Sequence, residues 1–358
     1  MKKILLLGLL LMIFLTACTK LGSMEVKEGL SQNHKNEEEK QKEKLSTLKK
    51  NESTIYLAGG CFWGVEGYFK ELNGVLTTEV GYANGKTSQT RYEDIKRTDH
   101  AEAVEVIYDK NVISLEEILL HYFRIIDPLS VNQQGNDRGR QYRTGVYYTD
   151  DSDREIIDRI FTYEERIHGK LAVERQRLKN FIPGEEYHQD YLEKNPGGYC
   201  HIDLSRAKDP LFNDEYPLPD EENLKKILDE QSYKILRQSD TELPHSSKLN
   251  EEYRRGIYVD KATGEPLFVS QDKFDSGCGW PSFSKPILND TLQYRKDQSL
   301  GMSRVEVRSK GGHLGHVFED GPQDKGGLRY CINGSALEFI PYEEMEEKGY
   351  GNYKILCH

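Results

Sequence analysis

A charged stretch punctuated by proline, 206–219, divides this chain into two halves with different patterns; it runs from Ala207-Lys208-Asp209-Pro210 to Tyr216-Pro217-Leu218-Pro219. Ahead of it, over 53–205, β-prone runs alternate with amphipathic helical periods. Beyond it, over 220–358, short strands separated by Gly, Pro and Asp predict a mostly antiparallel β domain. A chain of 358 residues is long enough for two such domains, each burying its own core.

The first 18 residues are a different material. Lys2 and Lys3 are followed by an apolar run from Ile4 to Leu15 and then by Leu15-Thr16-Ala17-Cys18. The run is too short for a spanning helix and reads as an export signal. Its end resembles the bacterial lipobox, which implies that Cys18 is lipid-modified and that the protein is anchored to the cell membrane, facing outside the cytoplasm. An ordinary secreted protein with an incidental Cys18 is the alternative. Residues 19–52 are Lys/Glu-rich and too poor in apolar side chains to order themselves, so they predict a solvated tether reaching about 30 Å. A net charge of -11, from 49 basic and 60 acidic residues, argues against a nucleic-acid partner.

In the first half, the β-prone run Thr54–Ala58 is broken by Gly59-Gly60 and followed by Cys61-Phe62-Trp63-Gly64. Strand, glycine turn and helix together place Cys61 at a helix N-terminus, where N–H groups and the helix dipole favour thiolate. A small core cysteine is the plainer alternative. His100–Asp109 reads as a strand with Glu102 on the face of Val104, Val106 and Tyr108. If that face is inner, burial raises the carboxyl and makes it a proton donor; if outer, Glu102 is solvated. Ser114-Leu115-Glu116-Glu117 has the form of a capping box. A second helix is predicted from about 151 to 178. The loop-like segment 181–202 carries Cys200.

In the second half, one helix is predicted over 220–237, then a hairpin around Lys261-Ala262-Thr263-Gly264. Alternation over 328–333 puts Leu328, Tyr330 and Ile332 on one face and Arg329, Cys331 and Asn333 on the other. Arg329 would favour a Cys331 thiolate. His313 and His316 have no cysteine or carboxylate cluster around them in sequence that completes a metal site. Cys357, near the C-terminus, reads as an unengaged thiol or a backup resolving cysteine on a fraying end.

Residues 54–202 resemble the A-type peptide methionine sulfoxide reductases through Gly60-Cys61-Phe62-Trp63-Gly64, His100-Ala101-Glu102, Gln134-Gly135-Asn136-Asp137 and Gln141-Tyr142-Arg143. The resemblance implies an α/β (α+β) sandwich. It makes Cys61 the nucleophile on sulfur and Glu102 the acid. Tyr92 and Tyr142 would hold the sulfoxide oxygen, Asp137 would support the site, Phe62 and Trp63 would hold the methyl, and Cys200 would be the recycling cysteine. Asp99 stands where the family usually has glycine.

The second half resembles the B-type reductases through Ser276-Gly277-Cys278-Gly279-Trp280-Pro281-Ser282-Phe283, His313-Leu314-Gly315-His316-Val317-Phe318 and Arg329-Tyr330-Cys331-Ile332-Asn333. This implies that Cys331 attacks, that His316 (with His313) and Asn333 handle the oxygen and its proton, that Trp280 contacts the methyl, and that Cys278 recycles. Many relatives carry two Cys-x-x-Cys zinc pairs, and this chain has none, so no structural zinc is expected.

Together the resemblances imply repair of oxidised proteins or peptides: methionine S-sulfoxide in the first domain, R-sulfoxide in the second, one epimer each. No bound cofactor is expected. The electron donor would be a thioredoxin-like protein, outside the cytoplasm if the lipobox is used. The rival readings are a thiol-disulfide oxidoreductase, disfavoured by the lack of Cys-x-x-Cys, and a disulfide-bonded surface protein.

Overall fold

The computed structural model describes residues 51–358 except 213, 289, 290, 299, 300, 302 and 358. The expected signal segment with Cys18, and the tether up to residue 50, lie outside the described residues. In the first half the elements are β1 (Glu52–Gly59), α1 (Phe62–Lys70), β2 (Val75–Ala83), β3 (Ala101–Asp109), α2 (Leu115–Ile125), β4 (Thr144–Tyr148), α3 (Asp153–His168), β5 (Glu174–Arg177) and β6 (Phe181–Pro183). The six strands form one mixed sheet in the order β5-β4-β1-β3-β2-β6. β4 and β5 run parallel; β1 with β4, and β2 with both β3 and β6, are antiparallel. The expected α/β character of this half is what the fold has.

Apolar side chains of α1 (Val65, Tyr68, Phe69) and α2 (Ile118, Leu119, Tyr122) close over Ile55, Leu57, Val80, Val104 and Val106 of the sheet. The predicted capping box is formed: Ser114 Oγ accepts from the Glu117 N–H, and the Glu117 carboxylate accepts from the Ser114 N–H. Such a cap stabilises a helix by about 1 kcal/mol.

Two helices differ from expectation. The one predicted to reach residue 178 stops at His168, where Gly169 turns with φ 86° and donates its N–H to Glu165. Glycine reaches that backbone region without steric cost, so the helix ends although the periodicity continues. Residues 174–177 join the sheet as β5 instead. The helix predicted over 220–237 is two, α4 (Glu221–Ile227) and α5 (Glu230–Gln238). Asp229 breaks the run because its carboxylate accepts from the Ser232 N–H and starts a new helix.

Beyond these helices the described strands of the second half pair antiparallel. A three-stranded sheet pairs β7 (Gly256–Asp260) with β8 (Pro266–Val269) and, on its other side, with β15 (Leu337–Pro341). The second sheet has the order β9 (Lys273–Phe274), β10 (Ser282–Phe283), β14 (Arg329–Ile332), β13 (His313–Phe318), β12 (Arg304–Arg308), β11 (Gln293–Asp297).

Ser53–His358 forms one compact unit. A single apolar cluster runs from Ile55 and Phe161 to Ile257, Ile340 and Tyr353. The proline-punctuated stretch is fastened into it. The Phe212 ring packs 4.6 Å from that of Tyr353, and Arg124 donates to the carbonyls of Arg206 and Asp209. The described chain up to Cys357 is buried there, not frayed: Cys357 is 0% exposed, and burial pushes its thiol up to about 12. A thiol so placed is a poor resolver. Among the described residues no helix is long and apolar enough to cross a membrane.

Candidate active sites

All five described cysteines are free. Cys61 caps α1 from an extended backbone, with no side-chain hydrogen bond at the cap. The turn before it requires glycine, because Gly60 has φ 86° and a Cβ there would stand 2.5 Å from Gln134 Cβ. Cys61 is only 7% exposed. Burial first, and the Glu102 carboxylate second, push its thiol up to about 12; the N–H groups of Trp63 and Gly64 pull the other way. The helix terminus therefore acts as expected, but burial outweighs it and the resting form is the thiol.

β3 presents Glu102 inward with Val104, Val106 and Tyr108, which settles the face that pattern alone left open. Its Oε2 accepts from the Phe62 N–H at 3.2 Å. Burial raises the carboxyl to about 8, so Glu102 carries its proton at neutral pH. Its charge, when present, acts on Cys61, Tyr82, Tyr92 and Tyr142, and Asp137 acts on Cys61, Glu102 and Tyr142. These residues, 81 positions apart at the extremes, share one site. Tyr92 and Tyr142 interact through their hydroxyls, and burial raises both.

Phe62 is buried, while Trp63 is stacked on Tyr191 at 3.7 Å and 12°. The His188 ring stands 5.1 Å from Phe62 and 4.6 Å from Tyr92. Glu185 accepts from the Tyr92 N–H and from the Tyr82 hydroxyl, which fixes the half-exposed Tyr92 over the site. His188, Tyr191, Tyr82 and Glu185 escaped sequence reasoning; three of them lie in a segment whose only signal is that of a loop. Asp99 sits at φ 61°, a region where glycine is favoured and Asp is tolerated, and its carboxylate pairs with Arg140 Nε at 2.6 Å. Cys200 donates from Sγ to the Ile202 carbonyl at 3.1 Å, and a Cβ at Gly64 would stand 3.1 Å from that sulfur.

In the second half the sulfurs of Cys278 and Cys331 are 3.4 Å apart. Tyr330 and Ile332 fill the core while Cys331 points to the opposite face, as alternation predicts. The hydrogen bond between the two thiols draws Cys278 down, helped by Ser276 and Ser282, and pushes Cys331 up ahead of its burial. Physically the pair yields one proton readily and holds the second, because each charged sulfur is stabilised by the other's S–H. Arg329 pulls Cys331 down as expected. Its guanidinium is itself held by Asp320 at 2.8 Å and lies 4.5 Å over the Phe318 ring.

A cavity of about 130 Å³ opens beside Cys331 and is lined by Trp280, Arg304, His316, Phe318 and Asn333 among others. Arg329 is not in its wall; Arg304 is. Asn333 is tied on both ends of its amide, accepting from the Glu242 N–H at 3.1 Å and donating to Leu314 O at 3.0 Å. Trp280 Nε1 donates to the Glu242 carbonyl at 3.2 Å.

His316 pairs across the sheet with Cys331. Three positions along a regular strand would turn His313 to the other side. A shift of register between β12 and β13 absorbs the extra residue and brings the two rings within 5.6 Å. Carboxylates absent from any sequence motif orient both rings: Asp297 Oδ2 at 2.8 Å from His316 Nε2, and Glu306 Oε1 at 2.7 Å from His313 Nδ1. Burial lowers His313 despite Glu306. These four residues line an adjoining space of about 430 Å³. Among the described residues, no group of three or more His, Cys, Asp or Glu is arranged to hold a metal.

The family model described as peptide methionine sulfoxide reductase matches residues 53–218, and that described as SelR domain matches 228–341. Mxr1 from Saccharomyces cerevisiae in reduced form is 40% identical, with 42% of this chain and 89% of that chain covered and a TM-score of 0.40. Methionine sulfoxide reductase A of Corynebacterium diphtheriae is 33% identical, with 42% and 78% covered and a TM-score of 0.40. Mxr1 in complex with Trx2 is 30% identical, with 39% and 85% covered and a TM-score of 0.30. The chain belongs to the peptide methionine sulfoxide reductase family, with an S-sulfoxide reductase domain followed by a fused SelR domain that reduces the R-sulfoxide.

Proposed function

We propose that each half runs a complete two-cysteine cycle. In the first, Cys61 Sγ attacks the sulfur of methionine S-sulfoxide while Glu102 gives its proton to the oxygen. Tyr92 and Tyr142 hold that oxygen, Phe62 and Trp63 enclose the methyl, and Asp137 supports the site. The oxygen leaves with Cys61 as a sulfenic acid, and methionine is released. Cys200 then attacks the sulfenic sulfur, giving a disulfide and water. In the second half Cys331 attacks, His316 with His313 and Asn333 manage the oxygen and proton, Trp280 meets the methyl, Arg329 favours the sulfur anion, and Cys278 closes the disulfide. Asp297 fixes the His316 tautomer.

The observation that carries this reading is the 3.4 Å between Cys278 and Cys331 at the wall of a cavity holding Trp280, His316 and Asn333. Cys278→Ser tests it. One equivalent of methionine per protein should still form from R-sulfoxide, with a trappable sulfenic acid left on Cys331, while turnover with a dithiol protein collapses. Sustained turnover at the normal rate would remove Cys278 from the cycle.

A thioredoxin-like protein is the proposed reductant, supported by the similarity to Mxr1, which is known in complex with Trx2. Structural zinc has no part in the proposal, since four of the five described cysteines are assigned redox roles. The lipobox pattern ending at Cys18 supports anchoring to the outer face of the cell membrane, with substrates and reductant there too. Cys18→Ser should move the protein from the membrane to the soluble fraction; unchanged membrane retention would contradict the anchor.

A further inference from the structure

We propose that Asp137 and Tyr199 form a clasp that positions Cys200 and thereby sets how fast the Cys61–Cys200 disulfide closes. The proposal rests on the reading of Cys200 as the resolving cysteine. Residues 197–202 belong to no helix or strand, and beyond the Gly198 N–H bond to the Asn195 carbonyl their side chains do the holding. The Tyr199 hydroxyl donates to Asp137 Oδ2 at 3.1 Å, and His201 Nδ1 lies 3.9 Å from the same oxygen. The carboxylate therefore ties down one neighbour of Cys200 by a hydrogen bond and stands beside the other, whose ring is held by packing.

The anchor is itself firm. Asp137 ends a tight hairpin in which Gln133–Gln134 pair with Asp137–Arg138. Gln134 is locked to Asp127 through both ends of its amide, at 2.8 Å each. The His201 ring fits a slot that two glycines leave open: a Cβ at Gly60 would stand 3.3 Å from its Cε1, and one at Gly135 would stand 3.1 Å from its Cβ. Held this way, the Cys200 sulfur rests against Gly64. Gly64 lies one helical turn after Cys61, on the same side of α1, where positions three apart are about 5–6 Å from each other. The clasp thus keeps the resolving thiol within one turn of the sulfur it must reach.

In the closing step the Cys61 S–O bond and the Cys200 S–H bond break, the S–S bond forms, and the oxygen leaves as water with the thiol proton and its own. No outside oxidant is needed. Tyr199 hydrogen-bonds to Asp137 and not to either reacting sulfur, and it acts by position. Its replacement should leave the first step alone and slow the second.

The test is a single turnover of the full protein with methionine S-sulfoxide, following methionine release and the lifetime of the trapped sulfenic acid separately. In Tyr199→Phe, methionine release should keep its rate while disulfide closure slows by roughly tenfold, the order expected for one lost hydrogen bond to a charged group. A purely structural role would move both steps or neither. Closure at the unaltered rate in Tyr199→Phe overturns the clasp. Cys200→Ser separates that failure from a failure of the underlying reading: it should leave a persistent sulfenic acid, and normal loss of the sulfenic acid there would show that Cys200 does not resolve at all.

Discussion

Glu102→Gln should slow methionine formation from the S-sulfoxide by about 10²–10⁴-fold, the range a general acid contributes, and leave R-sulfoxide reduction untouched. Glutamine keeps the acceptor for the Phe62 N–H but has no proton to give. The same residue sets the pH dependence. Burial raises Glu102 to about 8, so the proton donor is present below that pH and lost above it. The wild-type rate of the first step should fall as pH rises through about 8, and the variant should lack that fall. Deprotonation also puts a charge beside Cys61 that pushes its thiol further up, so the thiolate is disfavoured just as the acid disappears.

The loss would not reflect unfolding. An acid whose folded value lies above its unfolded one makes the folded state bind the extra proton, so its contribution to stability declines as pH rises between the two. Glutamine has no such penalty, and the variant should be at least as stable as the parent above pH 8. Single-turnover rates from pH 6 to 9 decide the matter. A wild-type rate, or a retained fall near 8, would take Glu102 out of the proton transfer.

Much of both sites was legible in the chain because the chemistry concentrates in short contiguous motifs. Gly60-Cys61-Phe62-Trp63 carries a turn, the proposed nucleophile and an apolar wall in four residues, and Cys331 lies on a strand whose alternation alone separates core from site. What escaped reading depends on long-range pairing. Asp297 and Glu306 stand on strands at the outer side of the sheet, where a carboxylate reads as ordinary surface charge, and only the sheet order brings them to the two histidines. The common face of His313 and His316 needs a register shift that no period of two predicts. Glu174–Arg177 is polar and follows a helical period, so its place as an edge strand is decided by β4 beside it and by Gly169 before it. The helix terminus points to a thiolate at Cys61, whereas burial has the larger effect on its proton.

The central claim is that one chain holds two separate sites, each matched to one hand of the same damaged side chain. Sulfoxide sulfur carries a methyl, an oxygen, the rest of the side chain and a lone pair. In the first site the thiol and the Phe62–Trp63 wall sit together at the start of α1, while the proposed oxygen donors Tyr92, Tyr142 and Glu102 come from other elements, and packing fixes them. Inverting the sulfur would set the methyl against the donors and the oxygen against the aromatic wall, leaving buried polar groups unpaired, a mismatch that costs an enzyme about 10⁴-fold or more in rate. The second site, around Cys331, Trp280 and His316, shares none of these residues. Assaying both epimers with Cys61→Ser and Cys331→Ser tests this most directly. Cys61→Ser should fall to background on the S-sulfoxide and keep the full R-sulfoxide rate, and Cys331→Ser should do the reverse. Loss of both epimers in either variant, or of neither, would contradict two independent, hand-matched sites.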